Sequence, residues 1–185
     1  MVKNTSRIDF INKAVSKDET KYVLQAPLIH EHGMVSTDGY RMHWVGELPE
    51  SAVKTYLGRY PDVKTFVPKP DATPTAVFSI EIKDITEAFK NYKALAKANK
   101  NGNSIELSIE DNNLVGMLKD TKIIIGKTKT SILDDVLELS LNFQLLNEAV
   151  IGCGFNCTIS YYGQYNPIMI SHAYNALLMP IRSNK

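Results

Sequence analysis

The sequence predicts an α+β fold, with antiparallel sheets packed on a few helices and built from one helix-plus-strands unit used repeatedly. Three observations lead there. The 185 residues are 44% hydrophobic and 22% charged, a globular balance that leaves room for a core and excludes a rod, a collagenous repeat or wholesale disorder. Apolar residues recur at helical spacing in some stretches and alternate like strands in others. A helix with two or three strand-like runs occurs once in the N-terminal part and twice after it, the mark of units that bury their core between neighbours.

Taken in order, Ser6 followed by Asp9 resembles a capping box, and Ile8, Ile11, Ala14 and Val15 recur at helical spacing, so residues 6–17 read as a short amphipathic helix. KYVLQAPLIH at 21–30 leads through His32-Gly33 into MVSTDGYRMHWV, which reads as two strands and a turn. Residues 47–76 hold five of the eight prolines (Pro49, Pro61, Pro68, Pro70, Pro74) and read as an extended connector. A boundary near 66–76 divides the chain into 1–75 and 76–185. VFSIEI then reads as a strand, and residues 84–100 as a helix with Ile85, Ala88, Phe89, Tyr92, Leu95 and Ala96 on one stripe. A hairpin turns at Asp111-Asn112-Asn113, with a third strand at Lys122 to Gly126. LELSLN ends at Asn142, an N-cap for a helix over 143–152 closed by Gly152 or Gly154. CTISYYG, NPIMISH and NALLMPIR supply three final strands.

Charge and chemistry narrow the function. With 21 Lys+Arg against 20 Asp+Glu the formal charge is +1, so contact with nucleic acid would rest on basic residues gathered on one face. Lys90, Lys93 and Lys97 share one sector of helix 84–100, opposite its apolar stripe, and Lys13 and Lys17 lie on the first helix. They read either as a solvated face or as a stripe facing phosphates. Cys153 and Cys157 lack CxxC spacing and read as buried, reduced thiols. His30, His32, His43 and His172 are the only histidines, and no set of further ligands accompanies them. No GxSxG, HExxH, GxxxxGK[ST] or GxGxxG motif occurs. The expectation is a non-enzyme with no metal or cofactor. No apolar stretch has signal-peptide or membrane-span length, which predicts a soluble, cytoplasmic protein with no membrane partner.

Two phrases remain. Ser36-Thr37-Asp38-Gly39-Tyr40-Arg41-Met42 is either a plain Asp-Gly turn or a turn presenting an aromatic ring, a cation and a thioether. Leu177 to Arg182, broken by Pro180, is an edge strand when taken alone. Together with RYPDVKTFVP at 59–68, with YVLQAPLI, and with the succession from helix 84–100 to PIMIS, they resemble the bacterial DNA polymerase III beta subunit, the sliding clamp. In that family an Ala/Ser-Thr-Asp-Gly-His-Arg-Leu phrase lies in the middle domain and Met-Pro-Met-Arg ends the chain. Here Tyr40 stands for the usual histidine and Met42 for the leucine, and Ser183-Asn184-Lys185 follow Arg182. Residues 47–60 occupy the place of the second half of the middle domain, and the first domain has no counterpart.

The resemblance implies a DNA-clamp-like fold: a reduced N-terminal segment over 1–75 and a complete C-terminal domain over 76–185. It implies a hydrophobic cleft for short peptides of a DNA polymerase or another replication or repair protein. The matching positions are Leu24, Thr37, Gly39, Tyr40, Arg41, Met42, Pro61, Phe66, Leu177, Met179, Pro180 and Arg182. It also implies double-stranded DNA as a non-specific partner, faced by Lys13, Lys17, Lys90, Lys93 and Lys97, and a homo-oligomer. Two functions fit: a phage or mobile-element processivity clamp, or a ring-incompetent mimic that captures clamp-binding peptides as adaptor or decoy.

Overall fold

The computed structural model describes residues 6–99, 104–111, 113–118, 120–128, 139–154 and 156–181. In chain order these form α1 (Arg7–Asn12), a 3-10 helix (Glu19–Leu24), β1 (Leu28–His30), β2 (Gly33–Thr37), β3 (Arg41–Gly46), β4 (Lys54–Thr55), β5 (Gly58–Arg59) and a second 3-10 helix (Val63–Phe66). There follow β6 (Ala76–Glu81), α2 (Ile82–Asn99), β7 (Ser104–Glu110), β8 (Asn113–Leu118), β9 (Thr121–Thr128), β10 (Leu139–Asn142), α3 (Phe143–Cys153), β11 (Asn156–Tyr161), β12 (Ile168–Ser171) and β13 (Asn175–Leu178).

Alternating burial along the strands forces one apolar face toward the helices, and register follows from it. Among the described residues eleven strands form one sheet in the order β1-β2-β3-β13-β12-β11-β6-β9-β8-β7-β10, and β4 and β5 form a separate two-stranded hairpin. Every pairing is antiparallel. The predicted unit is therefore used three times: α1 with β1–β3, β6-α2 with β7–β9, and β10-α3 with β11–β13.

The helices share one face of the sheet. Phe10 and Ile11 of α1, Ile85, Ala88 and Tyr92 of α2, and Phe143, Leu146, Ala149 and Val150 of α3 join Ile80, Ile125, Ile159 and Ile170 in one buried cluster. Each of the larger apolar side chains among them contributes about 1.5–3 kcal/mol over leaving it in water, so the apolar stripes hold these helices more than intrinsic propensity does. The opposite face near the N-terminal strands carries a second cluster of Leu28, Val35, Met42, Trp44, Tyr60, Val63 and Leu177.

Several elements differ from the sequence expectation for identifiable reasons. Ser6 caps the first helix, accepting from the Asp9 N–H at 3.1 Å, but α1 stops at Asn12. The Ala14 N–H turns back to Ile11 C=O, and the Ser16 N–H bonds Leu24 C=O at 2.9 Å. Lys13 is thus the C-cap, and Lys17 lies beyond the helix. Residues 19–24 wind into a 3-10 helix instead of a strand because the Asp18 carboxylate accepts from both the N–H and the hydroxyl of Thr20. MVSTDGYRMHWV is itself a hairpin, β2 and β3. The proline-rich connector is not wholly extended, since it holds the β4–β5 hairpin and a 3-10 helix. Helix α2 begins at Ile82, and α3 runs through Gly152 to Cys153 before Gly154, with φ +111°, closes it. Asn142 caps α3 as expected, its Oδ1 accepting from the N–H groups of Gln144 and Leu145. Cys153 and Cys157 are free and buried.

Candidate functional site

The turn between β2 and β3 is built by its own side chains. Asp38 Oδ1 accepts from the backbone N–H groups of Tyr40 and Arg41 at 2.9 and 3.0 Å. The Thr37 hydroxyl donates to Arg41 C=O at 2.7 Å and accepts from the Gly39 N–H at 3.1 Å. Gly39, with φ +94°, takes a conformation that a side chain would strain. The result is a rigid loop that turns Tyr40 outward, 65% exposed, with the Lys21 ammonium 5.2 Å from its ring centroid.

Arg41 crosses from this turn to α3. Its Nε donates to Asp38 Oδ2 at 3.1 Å and its Nη1 to Glu148 Oε2 at 2.5 Å, while Gln144 Nε2 donates to the other Glu148 oxygen at 2.9 Å. Burial pushes the Glu148 carboxyl upward, but the bonds from Gln144 and Arg41 outweigh it and hold the group below the usual carboxylate range. With its side chain only 10% exposed and paired to both carboxylates, this guanidinium fastens the β2–β3 turn to α3.

Strand β13 then brings the distant phrase alongside. Met42 pairs with Leu177 and Arg41 with Leu178, and the Met179 N–H donates to Tyr40 C=O at 2.9 Å. Leu24 is half-buried against the cluster that holds Met42 and Leu177, beside Tyr60, Val63 and Met169. Met42 and Leu177 are each only 3% exposed and so belong to the core beneath the junction. The accessible apolar atoms belong instead to Tyr40, to Met179 at 39% exposure and to Phe66 at 53%. Pro61 and Pro180 are half-buried, and Thr37 and Gly39 serve the turn. Arg182 lies outside the described residues. Asp38, Glu148 and Lys21 were missed by reading the sequence for apolar cleft positions, although Asp38 lies inside the very phrase that drew notice.

Of the lysines, Lys90 and Lys93 stand exposed on α2, with Lys93 Nζ 4.9 Å from the Phe89 ring centroid. Lys13 is half-buried and Lys17 exposed, and the side chain of Lys97 is outside the described residues. An open groove of about 800 Å³ runs between α2 and β9, lined by Asp84, Glu87, Asn91, Leu95, Lys122 and Ile124, and shares no residue with the β3–β13 junction. His43 is interior: its Nδ1–H donates to Phe10 C=O at 2.7 Å and its ring stacks on Phe10 at 4.3 Å. Among the described residues no group of three or more His, Cys, Asp or Glu side chains converges as metal ligands, and no helix is long and apolar enough to cross a membrane.

No protein-family model matches the sequence, and no curated protein matches it. Solved structures do. The Helicobacter pylori beta clamp bound to a DNA ligase peptide superposes with a TM-score of 0.72 at 16% identity, over 94% of this chain and 61% of that one. The DNA polymerase III beta subunit of Thermotoga maritima gives 0.71 at 16%, over 97% and 64%. The sliding clamp of Bartonella birtlesii bound to griselimycin gives 0.71 at 17%, over 95% and 63%. The chain therefore spans less than two-thirds of the length of these clamps. Nearly all of it nevertheless adopts their architecture, so the chain has the fold of the corresponding part of a bacterial DNA polymerase III beta sliding clamp.

Proposed function

We propose that the protein is a non-catalytic clamp-like tether that grips a replication or repair protein through a short linear segment laid across the β3–β13 junction. The observation that carries this reading is the pairing of two phrases more than 130 residues apart, Tyr40 to Met42 and Leu177 to Met179, which leaves Tyr40 and Met179 exposed side by side above a buried Met42–Leu177 pair. An exposed thioether and aromatic ring, on a turn that the Arg41 ion pairs fasten to α3, suit a peptide with apolar side chains. The clamps of Helicobacter pylori and Bartonella birtlesii carry a DNA ligase peptide and griselimycin, which supports a peptide as ligand. In this reading Lys13, Lys90 and Lys93 on the helix layer, with Lys17 and Lys97, face duplex DNA without sequence preference.

A second reading is an adaptor or decoy that uses the peptide site without encircling DNA. Fluorescence anisotropy with the Helicobacter pylori ligase peptide and, separately, with a labelled duplex distinguishes them. A tether binds both, and charge reversal at Lys90 and Lys93 weakens the DNA arm and flattens its salt dependence. A decoy binds the peptide alone, and binding of neither probe removes both readings.

A further inference from the structure

Two cations among the described residues flank the β3–β13 junction, and they are in opposite states. Arg41 is engaged on both sides, by Asp38 and by Glu148. Lys21 has no such partner. Its Nζ donates to the Asp38 C=O at 3.2 Å and stands 5.2 Å from the centroid of the Tyr40 ring, yet among the described residues no carboxylate lies within ion-pair distance of it. Two nearby carboxylates are committed elsewhere. Asp18 Oδ1 accepts from the N–H and the hydroxyl of Thr20, while Asp38 Oδ1 accepts from two backbone N–H groups and its Oδ2 from Arg41. An ammonium carries three donors, and the one bond to a carbonyl leaves Lys21 with capacity to spare.

The fold holds this ammonium in place from two sides. In front it rests directly on the β2–β3 turn, where a Cβ added at Gly39 would lie 3.5 Å from Nζ. Behind, the β4–β5 hairpin buttresses the 3-10 helix that carries it. At Gly58, φ +129°, the hairpin backbone comes so close that a Cβ would sit 3.1 Å from Val23 Cγ2 and 3.8 Å from the Tyr22 ring. The exposed groups of the junction therefore follow one another: the Met179 thioether, then the Tyr40 ring whose C=O accepts from the Met179 N–H, then the Lys21 ammonium. Asp38, Arg41 and Glu148 together carry one net negative charge, so Lys21 decides the sign of the potential that a ligand meets here.

We propose that Lys21 is the specificity-determining residue of the junction, selecting segments that carry an aspartate or glutamate beside the apolar residues resting on Tyr40 and Met179. The inference rests on the peptide reading above and adds to it the chemistry of the partner. A carboxylate gains a charge-assisted bond from a donor that is already positioned, so little side-chain freedom is lost on binding. The phosphate backbone of single-stranded nucleic acid, the competing anion, requires a run of cations, whereas one ammonium beside two carboxylates offers a single contact.

The test uses the full chain and the Helicobacter pylori ligase peptide, labelled, amidated at its C-terminus and substituted one position at a time by Asp and, in parallel, by Asn. At one position Asp should bind about tenfold more tightly than Asn at low salt, and the advantage should shrink as salt is raised. Lys21→Met should abolish or invert that preference and Lys21→Arg should keep it. Lys21→Glu should instead favour a Lys-substituted peptide at the same position, a gain that a damaged fold would not produce. Binding without an Asp preference at any position, or a preference that survives in Lys21→Met, overturns the inference and leaves the junction reading standing. Failure of every peptide to bind overturns both. A labelled oligothymidylate that binds through Lys21 while no Asp peptide is preferred would give the cation to phosphate and overturn the inference as well.

Discussion

Lowering the pH from neutrality to 4 should cost this protein roughly 3 kcal/mol through one imidazole, that of His43. Burial depresses its pKa most; Arg41 and Lys13 lower it further, against the opposing bond to Phe10 C=O and the Asp38 charge, and it settles at about 4 instead of 6.5. The neutral ring donates from Nδ1, and its buried Nε2 has no partner among the described residues, so a second proton would create an uncompensated charge. Below about pH 6.5 the unfolded chain takes up that proton and the folded one does not until about 4. The unfolded state binds more protons throughout this window, so stability falls as pH drops through it and is level above. Glu148 acts later: its carboxyl, held low in the fold, withdraws its contribution only as pH falls below the ordinary 4.5. Urea unfolding followed by Trp44, the only tryptophan and a buried one, reports the transition at each pH. Against His43→Gln, the excess stability of the unaltered protein should shrink by roughly 3 kcal/mol between pH 7 and pH 4. Parallel pH curves for the two proteins would refute the reasoning.

Gly152→Ala should destabilise even though alanine favours a helix by about 1 kcal/mol, because its Cβ would run into the Phe10 ring, which His43 and Tyr174 already flank. Overpacking of about 1–3 kcal/mol wins, and calorimetry should show a lower melting temperature. Met42→Asp should unfold the N-terminal strands instead of merely blanking a binding surface, since Met42 is buried among Val35, Trp44 and Leu177. An unpaired carboxylate there costs several kcal/mol; circular dichroism showing an intact, equally stable fold would contradict the placement.

How far the sequence was legible depends on where the determining interactions lie. Local signals read well: the Asn142 cap, the apolar stripe of α2 and the strand runs of the C-terminal part all form as expected, because each depends on neighbours within a few residues. The 3-10 helix at 19–24 did not, because Asp18 overrides the β-branched, apolar content of KYVLQAPLIH. The pairing of Met42 with Leu177 has no local signature at all, and only the resemblance to the clamp family suggested that those phrases meet. Nor could periodicity separate Met42 and Leu177, sealed beneath the junction, from Met179, two residues past Leu177 and just beyond the end of β13: all three read as apolar, and burial distinguishes them only once β3 and β13 are paired.

Titration of a fluorescent clamp-binding peptide onto the unaltered protein and onto Met179→Asp tests the central claim most directly, because Met179 is the accessible member of the junction whose loss spares the core. Saturable binding weakened at least about tenfold by the substitution, with an unchanged melting temperature, is the predicted result. Equal affinity in the two proteins would mean that whatever holds the peptide lies elsewhere.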